Sequence, residues 1–274
     1  MDANTVLKAL HLESDSNGEI GVRNVTCITT WCGSKLAACS LDQNCRDNMN
    51  CAKACGSDNS TCTFLCSESY QSKAIDNLMR CMFVDHKCLY LPEPDALNNA
   101  VCRKPDYLTV EIDHAKLSGT WKVNYGFNPD YDCFACQELS FEYNNTDVKN
   151  PIWYNAYYDI VNVKGQQQWN DVVMTGSDSK GIISLAGQNN GFDNTQQWYV
   201  LKLDDEVCLV YYCGQLMTWN FEGVLMMSRD GTISDAKMQE MERILWNLNL
   251  TINDFCHLNP AKDCPAVSQL FLQA

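Results

Sequence analysis

The chain has 274 residues, 46% of them hydrophobic and 10% aromatic, and its 20 Lys and Arg against 34 Asp and Glu give a net charge of −14. Such a chain buries at least one substantial core and is too apolar for a disordered tail, and its length predicts two folded units. The acidic balance excludes nucleic acid, whose phosphates need clustered Lys and Arg, and disfavours anionic membrane surfaces. The chain contains no run of about eighteen uncharged apolar residues, and its start, Met1-Asp2-Ala3-Asn4, lacks the charged-then-apolar profile of a signal peptide. It therefore reads as soluble and already processed.

Residues 1–26 are polar, with Ser14-Asp15-Ser16-Asn17-Gly18 as a loop, and read as an extension. Ten of the 17 cysteines follow within one short segment: Cys27, Cys32, Cys39, Cys45, Cys51, Cys55, Cys62, Cys66, Cys81 and Cys88. That density marks a module whose core is too small to hold without disulfides, and hence an oxidising compartment. Metal binding is not expected: the gaps are mostly Cys-x3-Cys or wider, and His86 is the segment's only histidine. Cys51 and Cys55, like Cys62 and Cys66, stand one helical turn apart, so three or four short helices are expected, with a break at Gly56-Ser57-Asp58-Asn59. Pro92-Glu93-Pro94 and Asn98-Asn99 mark a linker, and the disulfide-rich helical module is expected over 27–105.

From 106 the periodicity becomes two. Trp121, Val123 and Tyr125 alternate with polar residues as in a half-buried strand, and similar runs follow at 137–143, 151–160, 167–174, 181–186, 197–203, 207–213 and 222–229. Eight such strands predict an up-and-down barrel, which closes its own edges and can hold one apolar ligand. Ser234 is placed to cap a helix through Asn247, with Met238, Met241, Ile244, Leu245 and Leu248 on one stripe. The expected fold is thus mainly β: an eight-stranded lipocalin-like barrel with a C-terminal helix over 106–257, preceded by the helical module and followed by a tail, 258–274.

Two signatures narrow this. Gly119-Thr120-Trp121 has the Gly-x-Trp spacing of lipocalins, and Gly126-Phe127-Asn128-Pro129-Asp130-Tyr131-Asp132-Cys133-Phe134-Ala135-Cys136-Gln137 resembles the Gly-Leu-Asn-Pro…Phe-Asp…Cys-Gln loop of the violaxanthin de-epoxidase family. The order of cysteines from Cys32 to Cys88 is similar to that family's amino-terminal module, whereas the Glu-rich carboxy-terminal domain is missing, as in its violaxanthin de-epoxidase-related members. The resemblance implies a thylakoid-lumenal lipocalin that binds or converts a xanthophyll, with ascorbate as reductant only if it is an active de-epoxidase and with no tightly bound cofactor. Opening an epoxide needs a carboxylic acid with a raised pKa, and a polyene needs an apolar tunnel.

Carried over residue by residue, the resemblance implies Gln137, Gln196, Trp198, Tyr212, Trp219 and Met227 as the ligand-binding set. It also shows losses. Gln196 stands where the family has its presumed acid, Met227 where an assisting Tyr aligns, and Ala135 and Leu139 where a loop Asp and His would be. An amide delivers no proton as a carboxylic acid does. Asp132 is then the remaining candidate acid, although an Asp in an Asp-Tyr-Asp loop more often bonds to its own hydrated backbone. Cys133-Phe134-Ala135-Cys136 has redox spacing but no helix to open. Cys136 is expected to pair with Cys256 or Cys264, and Cys133 with Cys213 or Cys208. An odd cysteine total leaves one thiol free or paired with another chain.

Three classes of function remain: a xanthophyll-binding lipocalin without ordinary de-epoxidase activity; a non-catalytic lumenal subunit or assembly factor at a photosystem or antenna complex of the thylakoid membrane; and an enzyme of altered epoxide chemistry, such as an isomerase, using Asp132. Sequons at Asn24, Asn59, Asn144 and Asn249 would suit a secreted glycoprotein instead.

Overall fold

The computed structural model describes residues 19–55, 59–89, 100–143, 154–164, 167–176, 181–189, 191–216 and 219–264. The expected linker at 92–94 and 98–99, most of the extension, the break at 56–58, Asn144 and the last ten residues of the expected tail lie outside them. Two compact units divide the chain, one comprising Met1–Ala96 with Gln188–Asn194, the other Leu97–Gly187 with Thr195–Ala274.

The first unit contains helices α1 (Glu19–Trp31), α2 (Gly33–Leu41), α3 (Gln43–Cys55), α4 (Ser60–Ser69) and α5 (Lys73–Arg80), then a π-helical turn, Cys81–Asp85. Asn59 caps α4 by accepting Cys62 N–H at 2.9 Å, and Ser72 caps α5 through Ile75 N–H at 3.3 Å. The apolar core is short, built on Ile28, Leu36, Met49, Ile75, Leu78, Met82 and Phe83. Five disulfides supplement it: Cys27–Cys88, Cys32–Cys81, Cys39–Cys45, Cys51–Cys66 and Cys55–Cys62. One expectation is corrected, since α1 begins at Glu19, eight residues before Cys27. Helix propagation costs little once a helix is nucleated, and the bridges at Cys27 and Cys32 fix the far end.

The second unit is built on strands β1 (Gly119–Gly126), β2 (Glu138–Tyr143), β3 (Tyr154–Val161), β4 (Gln167–Gly176), β5 (Ile182–Asn189), β6 (Phe192–Leu203), β7 (Val207–Leu216) and β8 (Trp219–Ser228). Each pairs with the next, and β1 pairs antiparallel with both β2 and β8, so the eight strands close into the expected up-and-down barrel. A short β9 (Cys256–His257) adds to β1. The sequence alternation becomes two cores. Trp121, Val123, Leu139, Phe141, Trp198, Val200, Val210, Tyr212, Leu225 and Met227 meet inside the barrel. On the outer face Tyr199, Leu201, Leu209, Tyr211, Val224 and Met226 pack under the helix Asp235–Trp246, whose Met241, Leu245 and neighbouring Leu248 are buried. Ser234 caps that helix, accepting Lys237 N–H at 3.4 Å.

The Gly-x-Trp signature closes one end. Trp121 is fully buried, its indole N–H donates to Leu117 O at 2.8 Å, and the Arg229 guanidinium lies 3.6 Å from its ring centroid while donating to Ser118 O and Thr120 O. The segment after the helix is also tied down, because Leu258 N–H donates to Asn124 O and Cys264 bridges to Cys136.

Candidate ligand-binding and acid site

At the other end of β1 the loop 127–137 folds over the barrel rim. Asn128 organises it: its side-chain oxygen accepts Asp130 N–H at 3.0 Å, its amide donates to Glu222 O at 2.9 Å, and its carbonyl accepts Asp132 N–H at 2.8 Å. A Cβ at Gly126 would stand 2.1 Å from Asp132 O, so only glycine lets the loop return this closely. Asp132 thereby turns inward. It is 2% exposed, accepts Asn128 N–H at 2.9 Å and accepts the Tyr212 hydroxyl at 2.7 Å.

This corrects the reading of Asp132 as a hydrated turn residue. It does bond to its own backbone, but it does so inside the protein, and burial raises its pKa from 3.8 to about 7 against the opposing hydrogen bonds from Tyr212 and the loop amides. Because the folded state favours the proton, the contribution of Asp132 to stability is greatest below about pH 4 and falls as pH rises toward about 7, by on the order of 4 kcal/mol. An Asp132→Asn variant should lose that component. Denaturant unfolding of both proteins across this range would show it, and parallel curves would count against the buried-acid assignment.

The remaining site residues line up behind this pair. The Tyr212 ring stacks on Trp198, with centroids 5.6 Å apart, and meets Phe221 edge-on at 6.2 Å. Trp198 Nε1–H donates to Gln196 Oε1 at 2.8 Å, so the Gln196 amide bonds to an indole. Gln137, 1% exposed, begins the inward-facing row that continues through Leu139 and Phe141; its Nε2 donates to Tyr131 O at 3.2 Å, while its Oε1 has no hydrogen-bond partner among the described residues. An unpaired buried acceptor is costly, and a water or a ligand donor would satisfy it.

Met227 lies deeper in the same inner core. It is fully buried and pairs with Val123 and Cys208, four residues along β8 from Gly223, roughly 13 Å deeper at strand rise. Trp219 opens β8, but its side chain lies outside the described residues. Two contributors escaped the sequence reading, Phe221 and Gly223. A Cβ at Gly223 would fall 2.2 Å from the Tyr212 ring and hydroxyl, and an isolated glycine within a strand pattern was the available signal.

The disulfides around the site settle which expected partners meet. Cys136 pairs with Cys264, one of its two expected partners; Cys133 pairs with Cys256, and not with Cys213 or Cys208. Strand alternation accounts for this. Cys213 belongs to the outer core and bridges to Cys102, whereas Cys208 faces the interior and is a free, buried thiol whose pKa burial pushes up to about 12. Among the described residues two groups of potential metal ligands, Cys51, Cys55 and Cys66, and Cys136, Glu138 and Cys264, have ligand atoms within 4.8 Å of one another, but every sulfur in them is disulfide-bonded.

The family model of the VDE lipocalin domain matches residues 24–259. The chain belongs to that family. Among VDE relatives, chloroplastic violaxanthin de-epoxidase of Spinacia oleracea is 24% identical over 244 residues, covering 85% of this chain and 50% of the relative. The Arabidopsis thaliana enzyme is 23% identical over 245 residues, covering 85% and 52%. The chain therefore spans about half the length of these relatives. Among solved structures, lobster apocrustacyanin A1 is 13% identical with a TM-score of 0.43, covering 57% of this chain and 91% of that one. The bovine lipocalin allergen Bos d 2 is 12% identical with a TM-score of 0.44, covering 57% and 100%. Among the described residues no helix is long and apolar enough to cross a membrane.

Proposed function

We propose that this VDE-family lipocalin binds a xanthophyll in its barrel, in the thylakoid lumen, without ordinary de-epoxidase activity. The observation that carries the reading is the chain of contacts Asp132–Tyr212–Trp198–Gln196, beside the unpaired Gln137 acceptor. Stacked aromatic faces suit a polyene, and the polar rim suits the oxygen at its end. Gln196 cannot supply the proton that epoxide opening needs. Asp132 reaches a ligand only through the Tyr212 hydroxyl, because its own oxygens are taken by that hydroxyl and by Asn128 N–H. It sets the tyrosine's orientation and, when protonated, frees that hydroxyl to donate to a ligand oxygen. Ascorbate has no part in this reading. The plastid location follows the chloroplastic relatives.

Pigment analysis of the protein purified from its source tests the proposal, with about one xanthophyll per chain expected. One observation favours the second reading, a non-catalytic subunit of a photosystem or antenna complex: Trp121, Phe141, Trp198, Tyr212, Leu225 and Met227, all facing inward, are each 5% exposed or less and pack on one another. Pigment-free protein that co-purifies with a thylakoid complex would favour that alternative.

A further inference from the structure

We propose that Arg103, on the outside of the barrel, is a positioning residue for the rim site: its guanidinium clamps β7, β8 and the base of the loop 127–137 so that Asp132 meets Tyr212. The clamp is read from contacts alone; its service to a ligand rests on the site given in the proposed function.

Strand alternation sets up the arrangement. Tyr211 and Tyr212 point to opposite faces of β7, and Glu222, opposite Cys213 in the β7–β8 register, shares the outer face with Tyr211, whereas Phe221 packs on the inner core. Inner groups of the site therefore adjoin outer ones in the chain, and Arg103 gathers the outer ones. Its backbone N–H donates to the Tyr211 hydroxyl at 2.8 Å, that hydroxyl donates to Glu222 Oε2 at 2.7 Å, and Arg103 Nη2 stands 3.2 Å from Glu222 Oε1. Arg103 Nη1 donates to Leu248 O at 2.9 Å, and the guanidinium lies 5.6 Å from the Phe127 ring centroid. The preceding residue is tied to β7 as well, through Cys102–Cys213.

The clamp reaches Asp132 from two sides. Phe127 N–H donates to Val224 O at 3.0 Å; beside it the Asn128 amide donates to Glu222 O, and Asn128 N–H donates to Asp132 Oδ2. On the other side, Tyr211 fixes the stretch of β7 from which Tyr212 donates to Asp132. The Glu222 side chain is 13% exposed, and a carboxylate so far out of water needs its paired cation and hydrogen bonds. The planar fork of arginine serves Glu222 and Leu248 together while lying over a ring, which the single ammonium of lysine does not.

Removing Arg103 should loosen the loop base and let Asp132 reach water, which lowers its pKa. Charge alone acts the other way, since loss of a nearby cation raises a carboxyl pKa; the sign therefore separates loss of the clamp from loss of the charge. The ionisable groups on the elements packed around Asp132 are Tyr212 on β7, Glu222 on β8, Tyr131 and Asp130 in its own loop, and Tyr125 and His257 where β1 meets β9. The substitutions below leave all of them in place.

The test uses the full oxidised chain and needs no ligand, so its failure is separate from a failure to bind xanthophyll. The Asp132 side-chain carboxyl, assigned by its loss in Asp132→Asn, is titrated by carbon-13 NMR in the native protein, in Arg103→Met and Arg103→Lys, and in Arg229→Met. The last removes the arginine that lies over Trp121 at the closed end and serves as the control for general destabilisation. The carboxyl should titrate near pH 7 in the native protein and more than about one pH unit lower in Arg103→Met. Arg103→Lys, the milder change that keeps the charge should Arg103→Met fail to fold, should fall between the two. Arg229→Met should melt earlier yet titrate like the native protein. A titration that stays put or rises in the Arg103 variants, or that falls equally in Arg229→Met, would overturn the clamp. A native carboxyl titrating near pH 4 would instead overturn the placing of Asp132 in the site, and the clamp with it.

Discussion

Violaxanthin incubated with the oxidised protein and ascorbate near pH 5 should remain unconverted. Proton donation by a positioned acid contributes about 10² to 10⁴ in rate, and where the resemblance sets the family's acid this chain has Gln196, whose carbonyl oxygen accepts the Trp198 indole N–H at 2.8 Å. Neither form of an amide serves as the donor. Asp132 does not simply take over, because its carboxylate is turned to Tyr212 and Asn128 and lies 2% exposed behind them. Gln196→Asp is the variant in which antheraxanthin should first appear. Adding Met227→Tyr should not help, since Met227 is fully buried in the deeper layer with Val123 and a larger side chain there overpacks the core. Chromatography of the pigments decides the matter: antheraxanthin or zeaxanthin formed by the unmodified protein at a rate like the plant enzyme's would return the acid role to Asp132.

Full reduction should unfold the helical module. Its longest bridge, Cys27–Cys88, closes 61 residues and Cys51–Cys66 closes 15. Restricting the unfolded chain in this way is worth about 4 and 3 kcal/mol respectively, against a total of about 5–15 kcal/mol for an ordinary domain. The apolar core built on Ile28, Met49, Leu78 and Met82 is too small to replace five such constraints. The helical circular dichroism signal should therefore collapse toward that of a β protein. An unchanged helical signal after complete alkylation of the cysteines would contradict this.

Local patterns carried most of the fold. Alternation located the strands because each barrel strand divides its side chains between two cores, and the Met238–Leu248 stripe located the helix because one face of it is buried on β6–β8. Cysteine density gave the module, yet spacing could not give partners: Cys133 and Cys256 stand 123 residues apart and meet only because β9 pairs with β1. The acid site was legible in part. The structure brings the expected Gln196, Trp198 and Tyr212 into contact, but Asp-Tyr-Asp after Asn-Pro reads as an exposed turn, and its inward rotation depends on a tyrosine 80 residues away and on the space left by Gly126 and Gly223. Long-range geometry of this kind leaves no local signature.

A VDE-family barrel that keeps its ligand site without a carboxylic acid at Gln196 should still bind pigment. Titration of the oxidised protein with violaxanthin, followed through tryptophan emission, checks this, since the Trp198 ring stacks on Tyr212 at 5.6 Å within the proposed site. Saturable quenching at about one pigment per chain, weakened in Tyr212→Ala, is the result predicted here. Emission that stays unchanged by violaxanthin, or quenching that Tyr212→Ala leaves intact, would contradict it.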